Sequence, residues 1–184
     1  MIRIDLNHDG LNDLLIREIP YEKAGFSSAN SLQAVPQGGG VKIGLEPTRA
    51  AAMALGSKIG APDLFSAGPA VMFNVYGIYY FGSWAYSGTS KYLGIRFQVD
   101  GQTHYGWARL TVKFGYFSYI DALLTGYAYE TQADKPIRAG DMGSADADSA
   151  PIAELSPAGS KPLATLGALA LGAEAIPIWR DTTR

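Results

Sequence analysis

No cysteine occurs among the 184 residues. That absence removes disulfide staples, thiol nucleophiles and zinc–thiolate sites together. Histidine is scarce, at two residues, which leaves little room for a histidine-rich metal centre. Charged residues are 17% of the chain, below the usual quarter, and the net charge of −2 gives no nucleic-acid footprint. Familiar catalytic patterns are missing too. There is no Gly-x-Ser-x-Gly and no His-Glu-x-x-His. Gly38-Gly39-Gly40 leads into no Gly-Lys-Ser/Thr and no strand–loop–helix frame, so it is not a phosphate loop. The opening, Met1-Ile2-Arg3-Ile4-Asp5, has no charged n-region, apolar h-region or cleavage site.

What is present suits a turn-rich β protein. Apolar residues make up 47%, enough for a packed core. Tyr, Phe and Trp favour strands, while 22 Gly and 10 Pro supply turns. Leu14–Ile19 is a strand candidate. Residues 21–47 read as a long loop with brief strands. Thr48–Lys58 has the best helix propensity, enough for a turn or a short helix ended by Gly56. Ala70–Tyr86 reads as two strands, or one bulged strand, interrupted by Gly77 and Gly82.

The clearest element is a hairpin. Leu93, Ile95, Phe97 and Val99 alternate with Gly94, Arg96 and Gln98, and Asp100-Gly101 supplies the turn. With those two as the loop, counting sets Phe97 opposite His104, Ile95 opposite Gly106, and Leu93 opposite Ala108. The other face pairs Arg96 with Tyr105, Gly94 with Trp107, and Tyr92 with Arg109. A last run, Tyr119–Thr131, sets Leu124, Gly126 and Ala128 against Leu123, Thr125, Tyr127 and Tyr129. Short strands between turns, with no βαβ repeat, predict an all-β antiparallel sandwich, jelly-roll-like.

Composition changes near Gln132. From there to Pro162 Ala, Ser, Asp, Gly and Pro dominate, without apolar periodicity. The expected organisation is a β-sandwich domain at 1–140, a disordered linker at 141–162 and an apolar tail at 163–184. Leu163–Trp179 is at the short limit for a membrane span, and Glu174 and Pro177 weaken it. It reads as a sorting or anchoring segment with possible membrane contact, or else as a short amphipathic or buried helix.

One motif carries a mechanism. Asp5-x-Asn7-x-Asp9-Gly10-Leu11-x-Asp13 puts oxygen side chains at alternate positions, where a curled loop converges them on a hard cation. Gly10 permits the sharp turn and Leu11 offers its carbonyl. Ile16 stands where an EF-hand has its bidentate Glu, so this is not an EF-hand. Calcium is the expected ion, with Asp5, Asn7, Asp9, Leu11 and Asp13 as candidate ligands. The alternative is an Asx-rich turn without an ion.

Trp84, Tyr86, Tyr92, Tyr105 and Trp107 suggest an aromatic face. Within it Trp84, Tyr92, Tyr105 and Trp107 are candidate ligand-binding residues for an extracellular polysaccharide. Ordinary sheet packing is the plainer alternative. His104, on the inner face of the counted register, is expected to be a hydrogen-bonded core histidine, not a base.

Tyr92-Leu93-Gly94-Ile95-Arg96-Phe97, His104-Tyr105-Gly106-Trp107-Ala108-Arg109-Leu110-Thr111-Val112, Thr125-Gly126-Tyr127-Ala128-Tyr129-Glu130-Thr131 and Lys135-Pro136-Ile137-Arg138-Ala139-Gly140 follow in this order. The chain resembles uncharacterised bacterial exported proteins that carry a C-terminal sorting tail of the PEP-CTERM kind. The family's tail has Pro-Glu-Pro where Ser160-Lys161-Pro162 stands here. The resemblance implies export, with the signal expected upstream of Met1. The reading that follows is a non-enzymatic, extracellular or cell-surface protein with a calcium-stabilised loop and a structural, adhesive or matrix role. A carbohydrate-binding module is the alternative. A sandwich-type hydrolase is disfavoured by the lack of a paired-carboxylate motif.

Overall fold

Alternating apolar residues and Gly/Asp turns divide the chain into short strands. The structure is a computed structural model that describes residues 1–20, 29–76, 78–85, 88–114 and 120–143. Every regular element among them is a strand: β1 (Ile2–Ile4), β2 (Leu14–Pro20), β3 (Ala29–Pro36), β4 (Gly40–Lys42), β5 (Lys58–Ile59), β6 (Phe65–Ser66), β7 (Ala70–Tyr76), β8 (Tyr79–Phe81), β9 (Ser90–Val99), β10 (Gln102–Phe114), β11 (Ile120–Tyr129) and β12 (Ile137–Arg138).

Two antiparallel sheets, ordered β1-β2-β3-β7-β8 and β11-β10-β9-β4-β6, pack as a β-sandwich. Ile4, Leu14, Ile16, Leu32 and Phe73 from the first sheet meet Val41, Leu93, Ile95, Phe97, Leu110 and Val112 from the second. Each such side chain stabilises the fold by roughly 1.5–3 kcal/mol relative to exposure.

The β9–β10 hairpin has the register expected by counting, with His104 opposite Phe97, Gly106 opposite Ile95, and Ala108 opposite Leu93. Asp100 and Gly101 both take positive φ, at 51° and 76°, as a tight turn between right-twisted strands requires. The simple alternation expected for β11 is broken. Its register against β10 shifts between Arg109 and Leu110, leaving Thr125 as the extra residue between Leu124 and Gly126. Leu124 and Tyr127 therefore both pack against the core.

Other expectations are corrected. Residues 29–36, inside the expected long loop, form an eight-residue strand central to the first sheet. Of the turn and the short helix expected over Thr48–Lys58, the turn is found, with Ser57 N–H donating to Ala54 O, and the helix is not. The backbone of this stretch bridges outward, with Ala50 N–H donating to Val71 O, Ala51 N–H to Lys42 O, and Met53 N–H to Tyr92 O. Tertiary hydrogen bonds override the helix propensity of the alanines, which is worth less than about 1 kcal/mol per residue.

A third layer covers the outer face of the second sheet. β5 and β12 form a two-stranded ribbon. Met53, Ile59, Ile137 and Ala139 bury Tyr92, Tyr105 and Trp107 beneath it. The stretch from Gln132 to Gly143, expected to begin a linker or lie beside one, thus includes a structural strand. Two buried side chains, Ile137 and Ala139, are too few to leave a periodic signal. The chain divides into Met1–Asp148 and Ser149–Arg184. The expected linker beyond residue 143 and the tail at 163–184 lie outside the described residues.

Candidate functional site

The Asp5–Asp13 loop joins β1 to β2, whose last pair is Ile4 opposite Leu14. Leu6, 2% exposed, anchors it in the core. His8 at φ 60° and Gly10 at φ 89° turn the chain sharply. The residue types chosen by the motif do the curling. Gly10 N–H donates to Asp5 Oδ2 at 2.9 Å, Leu11 N–H to Asp9 Oδ1 at 2.7 Å, and Asn7 Nδ2 to Asp9 Oδ2 at 3.0 Å. These are local Asx bonds that hold a loop open to side-chain oxygen.

Asp13 closes the loop. Its N–H donates to Ile4 O at 2.9 Å, its C=O accepts from Gln37 N–H at 2.8 Å, and its Oδ2 accepts from Leu6 N–H at 2.7 Å. One residue thereby ties β1, β2 and the end of β3. Burial pushes the Asp13 carboxyl above the usual carboxylate range. The Leu6 N–H pulls it down, and the charges of Asp9 and Asp5 push it up further. Asp9 is held below that range by the Leu11 N–H and the Asn7 side chain.

The structure therefore gathers Asp5, Asn7, Asp9 and Asp13 into one loop. Leu11 is on its exposed crest, with its side chain 72% exposed. Among the described residues, no three Asp, Glu or His side chains converge as a ready metal shell. The loop's own N–H groups occupy one oxygen of Asp5, both of Asp9 and one of Asp13. Asp5 Oδ1 is different. It is sheltered from solvent and has no hydrogen-bond partner. A sheltered carboxylate oxygen without a protein donor is costly unless a water or a cation satisfies it. A set of carboxylate, amide and carbonyl oxygens suits a hard ion such as calcium.

The aromatic candidates are not an open platform. Trp84, Tyr92, Tyr105 and Trp107 are 2%, 8%, 3% and 5% exposed. Trp84 belongs to the core between the sheets. Trp107 meets Tyr92 edge-on at 5.2 Å and donates from Nε1 to Asp141 O at 2.7 Å. The face expected to stack on sugars is covered by Met53, Ile59, Ile137 and Ala139. Counting put Tyr92, Tyr105 and Trp107 on one face, as found, but Trp84 belongs to the other cluster, and the covering layer was not visible in the sequence. Tyr86 lies outside the described residues.

His104 is buried, and its Nδ1 lies 2.8 Å from Glu130 O. Sequence reading passed over Glu130, a carboxylate only 3% exposed. It lines a cavity of about 440 Å³ with Lys135, Ile137, Asp141 and Met142. Lys135 Nζ lies 3.3 Å from its Oε2, and Gln132 N–H donates to its Oε1 at 3.1 Å. Both oxygens of this buried carboxylate are thus engaged. Comparison of the chain with protein-family models, curated proteins and solved structures finds no match.

Proposed function

We propose that this chain is a non-enzymatic β-sandwich module whose β1–β2 loop is clamped by calcium. It would act outside the cell or at its surface, in a structural, adhesive or matrix role. The observation that carries the reading is the loop itself. It has three carboxylates within electrostatic reach of one another, a buried Asp13 that ties three strands, and a sheltered Asp5 Oδ1 without a donor. A divalent cation would offset the mutual repulsion and satisfy that oxygen. Asp5, Asn7, Asp9 and Asp13 would offer side-chain oxygens, and Leu11 its carbonyl.

One further feature supports the compartment: the chain's motifs resemble exported proteins of the PEP-CTERM sorting-tail type. The non-enzymatic part is supported by His104, whose ring is buried and bonded to a main-chain carbonyl.

Thermal melting of the full chain in chelator and in calcium tests the proposal. A ligand bound only by the folded state, at a thousandfold excess over its Kd, stabilises by about 4.1 kcal/mol. The expected result is a rise in melting temperature with calcium that Asp5→Asn strongly reduces. An unchanged melting temperature at millimolar calcium overturns the calcium clamp.

A further inference from the structure

We propose that two copies of this chain associate through β11, edge to edge and antiparallel, joining their second sheets into one. Among the described strands, three of the four edges of the two large sheets are short: β1 and β8 have three residues each and β6 has two. The fourth edge, β11, has ten. It pairs with β10 on one side only. In an antiparallel ladder every second residue aims its N–H and C=O away from the partner strand. Among the described residues, no main-chain hydrogen bond outside that ladder reaches 121–127. Edges of such length are usually blunted by proline, lysine, a β-bulge or a covering segment, and the bulge at Thr125 leaves Asp121–Leu124 as the regular part of this edge. Asp121–Tyr127 has no proline and no lysine, and its one charge, Asp121, is at its beginning.

Self-complementarity names the occupant. Leu123 is 58% exposed on the outer face of this edge. With Leu123 on the two-fold axis, Leu123 meets Leu123, Ala122 meets Leu124 of the second copy, and Asp121 meets its Thr125. No like charges oppose, Leu123 meets an equally apolar Leu123, and Ala122 faces the larger Leu124. The extra residue at Thr125 ends the ladder there. The gap between the two sheets is also open beside this part of β11. A cavity of about 130 Å³ is lined there by Ile2, Ile16, Leu32, Ile120 and Ala122, with Glu18 and Asp121 also at its wall. An added strand would continue the sheet beside apolar lining. The paired segment is short, so the association is weak and concentration-dependent.

The test uses the absence of cysteine. Directly opposed residues in an antiparallel pair have Cα atoms about 4.5–5.5 Å apart, within disulfide reach. Leu123→Cys is then the only thiol, placed opposite itself. Lys113→Cys is the control, exposed on β10 one strand in from the edge. Three results are expected together. The sedimenting mass of the wild type doubles as concentration rises, Leu123→Lys stays monomeric without loss of melting temperature, and Leu123→Cys oxidises to a covalent dimer at least tenfold faster than Lys113→Cys. A wild type that is monomeric throughout, a dimer that survives Leu123→Lys, or equal cross-linking of the two cysteine variants overturns the proposal.

Discussion

Replacing Trp107 by alanine asks whether the outer face of the second sheet is open or covered. The indole is 5% exposed, touches Tyr92 edge-on, and donates to the Asp141 carbonyl. Burying a ring of this size removes on the order of 200 Å² from water. At roughly 25 cal/mol per Å² that is about 5 kcal/mol. Partial collapse of the site brings the loss into the range of about 3–5 kcal/mol seen for large aromatic truncations. The Asp141 carbonyl left behind belongs to an exposed residue and is re-solvated, so losing this hydrogen bond adds little. Trp107→Phe keeps most of the apolar contact and loses the hydrogen bond, so its cost falls between that of the alanine variant and zero. Equilibrium unfolding in urea measures both. The alanine variant should unfold at clearly lower denaturant with little change in slope, and melt roughly 10 °C lower. An exposed ring would cost no more than about 0.5 kcal/mol. A loss below about 1 kcal/mol for Trp107→Ala would refute the covering layer formed by β5, β12 and Met53.

Two other perturbations test the loop and the turns. Asp13, with its carboxyl raised in the folded state by burial, takes up its proton more readily folded than unfolded. In chelator, its contribution to stability should therefore fall as pH rises from about 4 through the raised value. Asp13→Asn should flatten that part of the curve of melting temperature against pH, and identical slopes would exclude the effect. Asp9, held low, acts in the opposite sense and loses its contribution as the solution is acidified through its lowered value. Glycine substitutions separate local strain from collision. Gly82 has φ 125°, and an added Cβ would overlap the Met72 carbonyl oxygen. Gly82→Ala should cost more than about 2 kcal/mol by chemical denaturation. Gly101 at φ 76° meets open space, so Gly101→Ala should cost only about 1 kcal/mol. Equal losses would refute the close approach at Gly82.

The β9–β10 hairpin was legible because each of its signals is local. A two-residue turn fixes the register, and period-two alternation fixes the faces. His104 as an inward, hydrogen-bonded histidine followed from that register, while its partner, the Glu130 carbonyl just past β11, did not. The Asp5–Asp13 loop was legible as a curled, oxygen-rich segment because Asx side chains bond N–H groups a few residues away. Asp13 as a three-strand tie was not, since its partners Leu6 and Gln37 matter only once β1, β2 and β3 are assembled.

Sequence alone determined the class of the fold, the central hairpin and the place where carboxylates gather, because turn chemistry and alternation act over a few residues. Tertiary structure decided which aromatic rings meet solvent, whether Thr48–Lys58 is helix or bridge, and where the folded part continues past Gln132. Each of those depends on segments far apart in sequence. Residues near 53–59 and 137–139 come together over Trp107, and only their meeting determines whether that ring is a surface or a core.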